Sequence, residues 1–240
     1  MYKRQVLVGY SQRGPNTNSA GVAWRWTAET GTQELGFLPF AGPYAEARAV
    51  SADGTIVVGF NGGGGRNAAF RWDTTVGLTE LAALSGTTQE ASAVDISADG
   101  RVVVGTSYDG QAIAVRWVDE GLPERLPRIA GFAAAQSMAC SGDGSVVFGS
   151  VSGLRRDVFV WTEATGSILL RDYAALFGVV IPPDVVFRSA RDVSDDGLTF
   201  VGSASFGGRG RGFILTVPSP AGFAVFAFVL VIPRRRPTVS

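Results

Sequence analysis

Asp95 and Asp192 are the residues whose types and placement best suit acid–base chemistry. Each stands two residues before the serine of a repeated Ser-x-Asp-Gly turn, Ser97 and Ser194, while the matching positions hold Ala49 and Ala139. Two carboxylates facing one cavity can divide the roles of proton donor and acceptor, as in glycoside hydrolysis. The competing reading is that they are solvated or paired with a nearby arginine, Arg48 or Arg191. Histidine is absent, which removes the usual general base near neutral pH and the commonest metal ligand. Cys140 is the single cysteine and falls where other repeats have Val50, Ile96 and Val193. It therefore reads as a small apolar core residue, and no intrachain disulfide can form. Neither a metal nor a cofactor is expected.

The elements that must position these carboxylates recur along the chain. SADGRVVVG at Ser97 to Gly105 has counterparts in SADGTIVVG (Ser51 to Gly59), SGDGSVVFG (Ser141 to Gly149) and SDDGLTFVG (Ser194 to Gly202). A headless fifth copy, VLVG, occupies Val6 to Gly9, and successive closing glycines are 50, 46, 44 and 53 residues apart. Such a period marks a repeat architecture. Within each copy two β-prone runs flank Asp-Gly, the pair that accepts the positive φ of a tight hairpin. Calcium loops also use aspartates, but they need several oxygen donors close together, and here a strand follows each Asp at once.

A third strand follows the hairpin, in Trp24-Arg25-Trp26, Phe70-Arg71-Trp72, Val115-Arg116-Trp117 and Phe159-Val160-Trp161, degenerating to Phe213-Ile214-Leu215. A turn glycine and a short polar run such as Thr32-Gln33-Glu34-Leu35 give a fourth, outer strand. Four antiparallel strands per repeat predict a β-propeller of about five units, with the first and last incomplete. Strands are expected near 47–51, 55–60, 68–73 and 79–82, repeating through later units, with Trp26, Trp72, Trp117 and Trp161 packed between them. The second strand, Ile56-Val57-Val58 or Val102-Val103-Val104, is apolar on both faces, as a sheet covered on both sides requires. A β-sandwich-like repeat array is the alternative.

The G-x-S/A-D-G-x-x-V-G and A-F-x-W-T-x-x-x-G patterns resemble the HAF repeats of bacterial extracellular proteins, over roughly residues 6 to 217. The resemblance implies a secreted or surface-displayed repeat protein and brings no catalytic residue set with it. The insertion Leu169 to Val186, where Leu170 to Phe177 has helical spacing and Gly178 can end the turn, is also similar to one carried by such proteins.

Net charge is zero and Lys3 is the only lysine, so no basic face for nucleic acid is expected. The glycine-rich stretches Gly62 to Gly65 and Gly207 to Gly212 lack the lysine and following helix of a phosphate loop, and read as hairpin tips. Met1 to Gln5 is basic, but Val6-Leu7-Val8 is too short for a signal-peptide core and matches a second strand. The first unit is therefore expected to lack its opening strand, as a piece of a longer protein would.

Beyond Phe213-Ile214-Leu215 the texture changes. Val217, Pro218, Ser219 and Pro220 precede an apolar run to Ile232, and then Arg234, Arg235 and Arg236. This order resembles the PEP-CTERM sorting signal, with Ser219 standing where that family usually has Glu. The resemblance implies export, transient membrane anchoring through the C-terminal segment, and processing by an exosortase-like enzyme. Ala221 to Ile232 is 12 residues, about 18 Å as a helix against a hydrocarbon core of about 30 Å, so by itself it should span poorly. The expected division is a repeat domain at 1–217 and a sorting segment at 218–240 that stays outside the fold. The function expected is a non-catalytic envelope or matrix protein with a polysaccharide or surface-protein ligand. A hydrolase using Asp95 and Asp192 is the alternative.

Overall fold

The computed structural model describes residues 5–12, 21–84, 90–219 and 230–232 of the 240. Its strands form five antiparallel sheets, each a meander in chain order. The first has three strands, β1 (Val6–Gln12), β2 (Gly21–Thr27) and β3 (Gly31–Glu34). The second contains β4 (Tyr44–Val50), β5 (Ile56–Gly62), β6 (Ala68–Asp73) and β7 (Gly77–Leu81). The third contains β8 (Glu90–Ile96), β9 (Val102–Tyr108), β10 (Ala112–Val118) and β11 (Glu124–Arg125). The fourth contains β12 (Phe132–Cys140), β13 (Val146–Gly153), β14 (Arg156–Thr162) and β15 (Gly166–Leu169), followed by helix α1 (Leu170–Leu176). The fifth contains β16 (Val185–Val193), β17 (Thr199–Phe206), β18 (Arg209–Thr216) and β19 (Leu230–Ile232). Successive sheets pack face to face with the opening strands β4, β8, β12 and β16 side by side. The fold is a β-propeller.

The Asp-Gly pairs sit at tight turns. In the third unit Ser97 Oγ donates to Asp99 at 2.7 Å and accepts from the Val102 N–H at 2.9 Å, and Asp99 also accepts the Arg101 N–H. Ser51–Asp53, Ser141–Asp143 and Ser194–Asp196 repeat the arrangement. Gly100 takes a φ of +76°, and a side chain there would also meet Ile56 of the preceding sheet. The turns are then tied to one another: Ala52 N–H donates to Ala98 C=O, Ala98 N–H to Gly142 C=O, and Gly142 N–H to Asp195 C=O, at 2.7–3.0 Å. Local turn chemistry thereby sets how neighbouring sheets dock.

Packing follows the alternation along the second strand. Val57 lies with Ala23 of the first sheet and Leu35 just beyond it, while Val58 lies with Ala91, Val103 and Trp117 of the third. Trp26, Trp72, Trp117 and Trp161 occupy one register, opposite Leu7, Val57, Val103 and Val147. Trp72, Trp117 and Trp161 are buried and Trp26 is partly so. In the first and third units the arginine beside the tryptophan reaches across to the next unit: Arg25 lies 5.8 Å over Trp72, and Arg116 lies 4.3 Å over Trp161. Where the fifth unit replaces tryptophan with Leu215, the fourth replaces arginine with Val160, and both lie in one apolar cluster. An arginine there would lose its aromatic face.

Helix α1 is placed as its spacing predicts, with Gly178 at φ +74° beyond it. Arg171 donates to the carbonyls of Ile181 and Val185, pinning the inserted loop. Of the glycine-rich stretches, Gly207–Gly208 turns the last hairpin, whereas Gly210 and Gly212 lie within β18.

Two expectations about the tail are corrected. Val217 is 1 % exposed and its N–H donates to the Leu198 carbonyl, so it belongs to the core and not to a detached signal. Leu230–Ile232 pairs with β18 over Gly212–Ile214, so the last sheet has four strands and part of the segment beyond 217 lies in the fold. The prolines at 218 and 220 interrupt the chain before this pairing, not within it. Pro220 and Arg234, Arg235 and Arg236 lie outside the described residues.

Candidate functional site

Each opening strand carries a β-bulge next to the inner mouth. The pairing slips by one residue between Ala47 and Ala49, Ala93 and Asp95, Ser137 and Ala139, and Ala190 and Asp192. Opposite each slip stands a closing glycine, and a Cβ built on Gly59, Gly105, Gly149 or Gly202 would fall 1.9–2.3 Å from a carbonyl oxygen of that strand. Only glycine fits so close an approach. The extra residues are Arg48, Val94, Met138 and Arg191.

Three of these extra residues wall a cavity of ≈ 490 Å³ across the second to fourth sheets. The second sheet contributes Glu46, Arg48 and Phe60; the third contributes Ser92, Val94, Thr106 and Tyr108; the fourth contributes Gln136, Ser137 and Met138. Arg48 is held on two sides. Its Nε donates to Glu46 at 3.3 Å and its guanidinium lies 4.5 Å over the Phe60 ring. Glu46 also accepts from the Tyr44 hydroxyl at 3.2 Å. Burial first, and then the Glu46 charge, push the Tyr44 phenol up to about 12, so it is a hydrogen donor throughout the physiological range.

Asp95 and Asp192 do not wall this cavity. One Asp95 oxygen accepts the Ile96 N–H at 2.9 Å, and the other accepts the Cys140 N–H of the next sheet at 2.8 Å. Burial pushes the Asp95 carboxyl up, the two backbone N–H groups partly offset this, and Asp192 lies near enough to add to the push. Asp192 is exposed and accepts the N–H of its own neighbour Val193. The two carboxylates are therefore electrostatic neighbours, but Asp95 is spent as a tie between sheets. Cys140 is buried, and burial with the Asp95 charge drives its thiol far above the ordinary range, away from nucleophilic use. Arg48 pairs with Glu46 and with neither aspartate. Among the described residues no group of three or more acidic, cysteine or histidine side chains could hold a metal ion. No described helix is long and apolar enough to cross a membrane.

Glu46 and Phe60, the cavity they help build, and Tyr44 behind Glu46 are absent from the sequence-based expectations, in which Arg48 figures only as a partner for aspartate. The available signal was variation: the bulge holds Arg, Val, Met and Arg, and the position two before it Glu, Ser, Gln and Ser, beside turns that barely change.

No family model and no curated protein matches the chain. Solved structures do. TolB from Acinetobacter baumannii superposes with a TM-score of 0.56 at 17% identity, over 89% of this chain and 52% of that one. A putative TolB from Agrobacterium tumefaciens gives 0.51 at 13% identity, over 89% and 66%. A protein from a structural and mechanistic study of two prolyl endopeptidases gives 0.55 at 15% identity, over 96% and 37%. The chain spans about half to two thirds of the length of the two TolB proteins. At these identities the likeness establishes the shared β-propeller fold and leaves function to the site itself.

Proposed function

We propose that this chain is a non-catalytic β-propeller of the bacterial envelope or cell surface that holds a ligand in the cavity across its inner strands. The observation that supports this most is how the carboxylates are used. Asp95 gives both oxygens to backbone donors, while the cavity carries a fixed arginine, hydroxyl and amide side chains, and no second carboxylate beside Glu46 among its described walls. That set suits binding and lacks the acid–base pair that glycoside hydrolysis needs. Incubating the chain with a panel of bacterial-surface glycans tests it: retention of a ligand without release of reducing ends is expected. The electrostatic proximity of Asp95 and Asp192 favours the second reading, a hydrolase. Sugar release that disappears in Asp95→Asn/Asp192→Asn would establish that reading in place of the first.

The envelope address rests on the likeness of Pro218-Ser219-Pro220, the apolar run after them and Arg234-Arg235-Arg236 to a PEP-CTERM signal, with an exosortase-like enzyme as processing partner. Removing residues 233–240 keeps every paired strand. In an exporting host this truncation should change where the protein is retained while leaving its thermal unfolding unaltered; an unchanged location contradicts the address.

A further inference from the structure

Arg48 has an unusual presentation. Glu46 occupies its Nε and Phe60 covers one face of its guanidinium, so the group is fixed in orientation by neighbours of its own sheet. Its two terminal nitrogens have no protein acceptor among the described residues. A planar fork with two parallel N–H donors matches a carboxylate or phosphate edge-on, and holding the fork in place lowers the ordering cost of binding. Glu46 stands beside it and offsets one positive charge. A singly charged carboxylate therefore fits this pair better than a doubly charged phosphate.

The rest of the cavity indicates what the carboxylate is attached to. Ser92, Thr106, Asn67 and Gln136 offer side-chain hydroxyls and amides, and Val94 and Met138 supply an apolar patch. Hydroxyl groups over the C–H faces of a sugar ring complement walls that set hydroxyl and amide side chains beside an apolar patch. The volume of ≈ 490 Å³ lies within the usual range for small-ligand sites, roughly 300–1,000 Å³. We infer that the cavity binds a uronate-bearing oligosaccharide, with the Arg48 fork holding the uronate carboxylate. This rests on the binding reading above and specifies its ligand class.

The test is calorimetric titration of the full chain with trigalacturonate, its methyl ester, neutral galactotriose, and a tripeptide with a free C-terminal carboxylate. Trigalacturonate should bind, and the ester and the neutral sugar should bind at least tenfold more weakly. Arg48→Lys, which keeps the charge and loses the fork, should cause a similar loss with an unchanged melting temperature. Arg191→Ala, at the matching bulge of β16 but outside the cavity walls, should bind like the parent. Equal binding of acid and ester, undiminished binding by Arg48→Lys, preference for the peptide, or binding of none of the probes overturns the inference. Release of reducing ends from any sugar would instead overturn the non-catalytic reading, whatever the affinities.

Discussion

The Ser-x-Asp-Gly turns and the inner mouth are built from the same repeats, yet they treat sequence in opposite ways. At the turns four units use the same side chains in the same hydrogen bonds, and each turn docks on the next through backbone groups. At the mouth the corresponding triplets are Glu46-Arg48-Phe60, Ser92-Val94-Thr106, Gln136-Met138-Ser150 and Ser189-Arg191-Ser203, and no residue type holds any one position in more than two of the four units. Positions that must solve one packing problem repeatedly keep one answer. Positions that the bulge places on the cavity wall can each be individual, and a binding surface needs that individuality.

Substitutions in the two regions should separate by size of effect. The largest loss belongs to Trp117→Ala: the ring is fully buried, its Nε1 donates to the Ala82 carbonyl at 2.8 Å, and removal should cost about 3–5 kcal/mol in urea unfolding. A loss under about 1 kcal/mol would mean that the sheets are not held by these rings. Gly105→Ala comes next. Its new Cβ would fall 2.1 Å from the Ser92 carbonyl oxygen, so the bulge must move, at roughly 1–3 kcal/mol or more. Ser97→Ala leaves the Val102 N–H without its Oγ acceptor and takes from Asp99 one of its two donors, for about 1–3 kcal/mol by the same measurement.

The smallest effect is one of pH. Hydrogen bonds, the one from the turn serine foremost, hold the carboxyls of Asp53, Asp99, Asp143 and Asp196 below their ordinary values. Their contribution is present above the ordinary carboxylate range and is lost as pH falls through the depressed values. Asp95 has the opposite sign: its raised pKa favours the fold most below the ordinary value, and that contribution fades as pH rises through the raised one. Asp95→Asn should keep an acceptor for Cys140 and flatten only this second limb of a stability–pH curve. An unchanged curve would show that Asp95 titrates alike in both states.

Much of the fold was legible because its determinants are local and recur. A serine, an aspartate and a glycine within four residues specify a hairpin without help from elsewhere, and the tryptophan register follows by counting. The mouth was not legible because a bulge is a one-residue slip between strands, and it redirects Arg48 without a mark in its own repeat. Asp95 figured as a candidate for the alternative, hydrolytic reading because the sequence does not show its partner: the Cys140 N–H lies in another unit, 45 positions along the chain. The β19 strand was missed because Pro218 and Pro220 read as an end, while its pairing with β18 depends on residues that lie beyond them.

The division between repeated residues that hold the fold and divergent residues that bind can be tested in one protein. Replacing the second sheet's triplet with the third sheet's types, Glu46→Ser, Arg48→Val and Phe60→Thr together, exchanges one natural solution at the mouth for another. Urea unfolding and ligand titration are then measured on the same preparation. The expected result is an unfolding free energy within about 2 kcal/mol of the parent, still cooperative, with binding abolished. Loss of cooperative folding, or binding equal to that of the parent, would contradict the division.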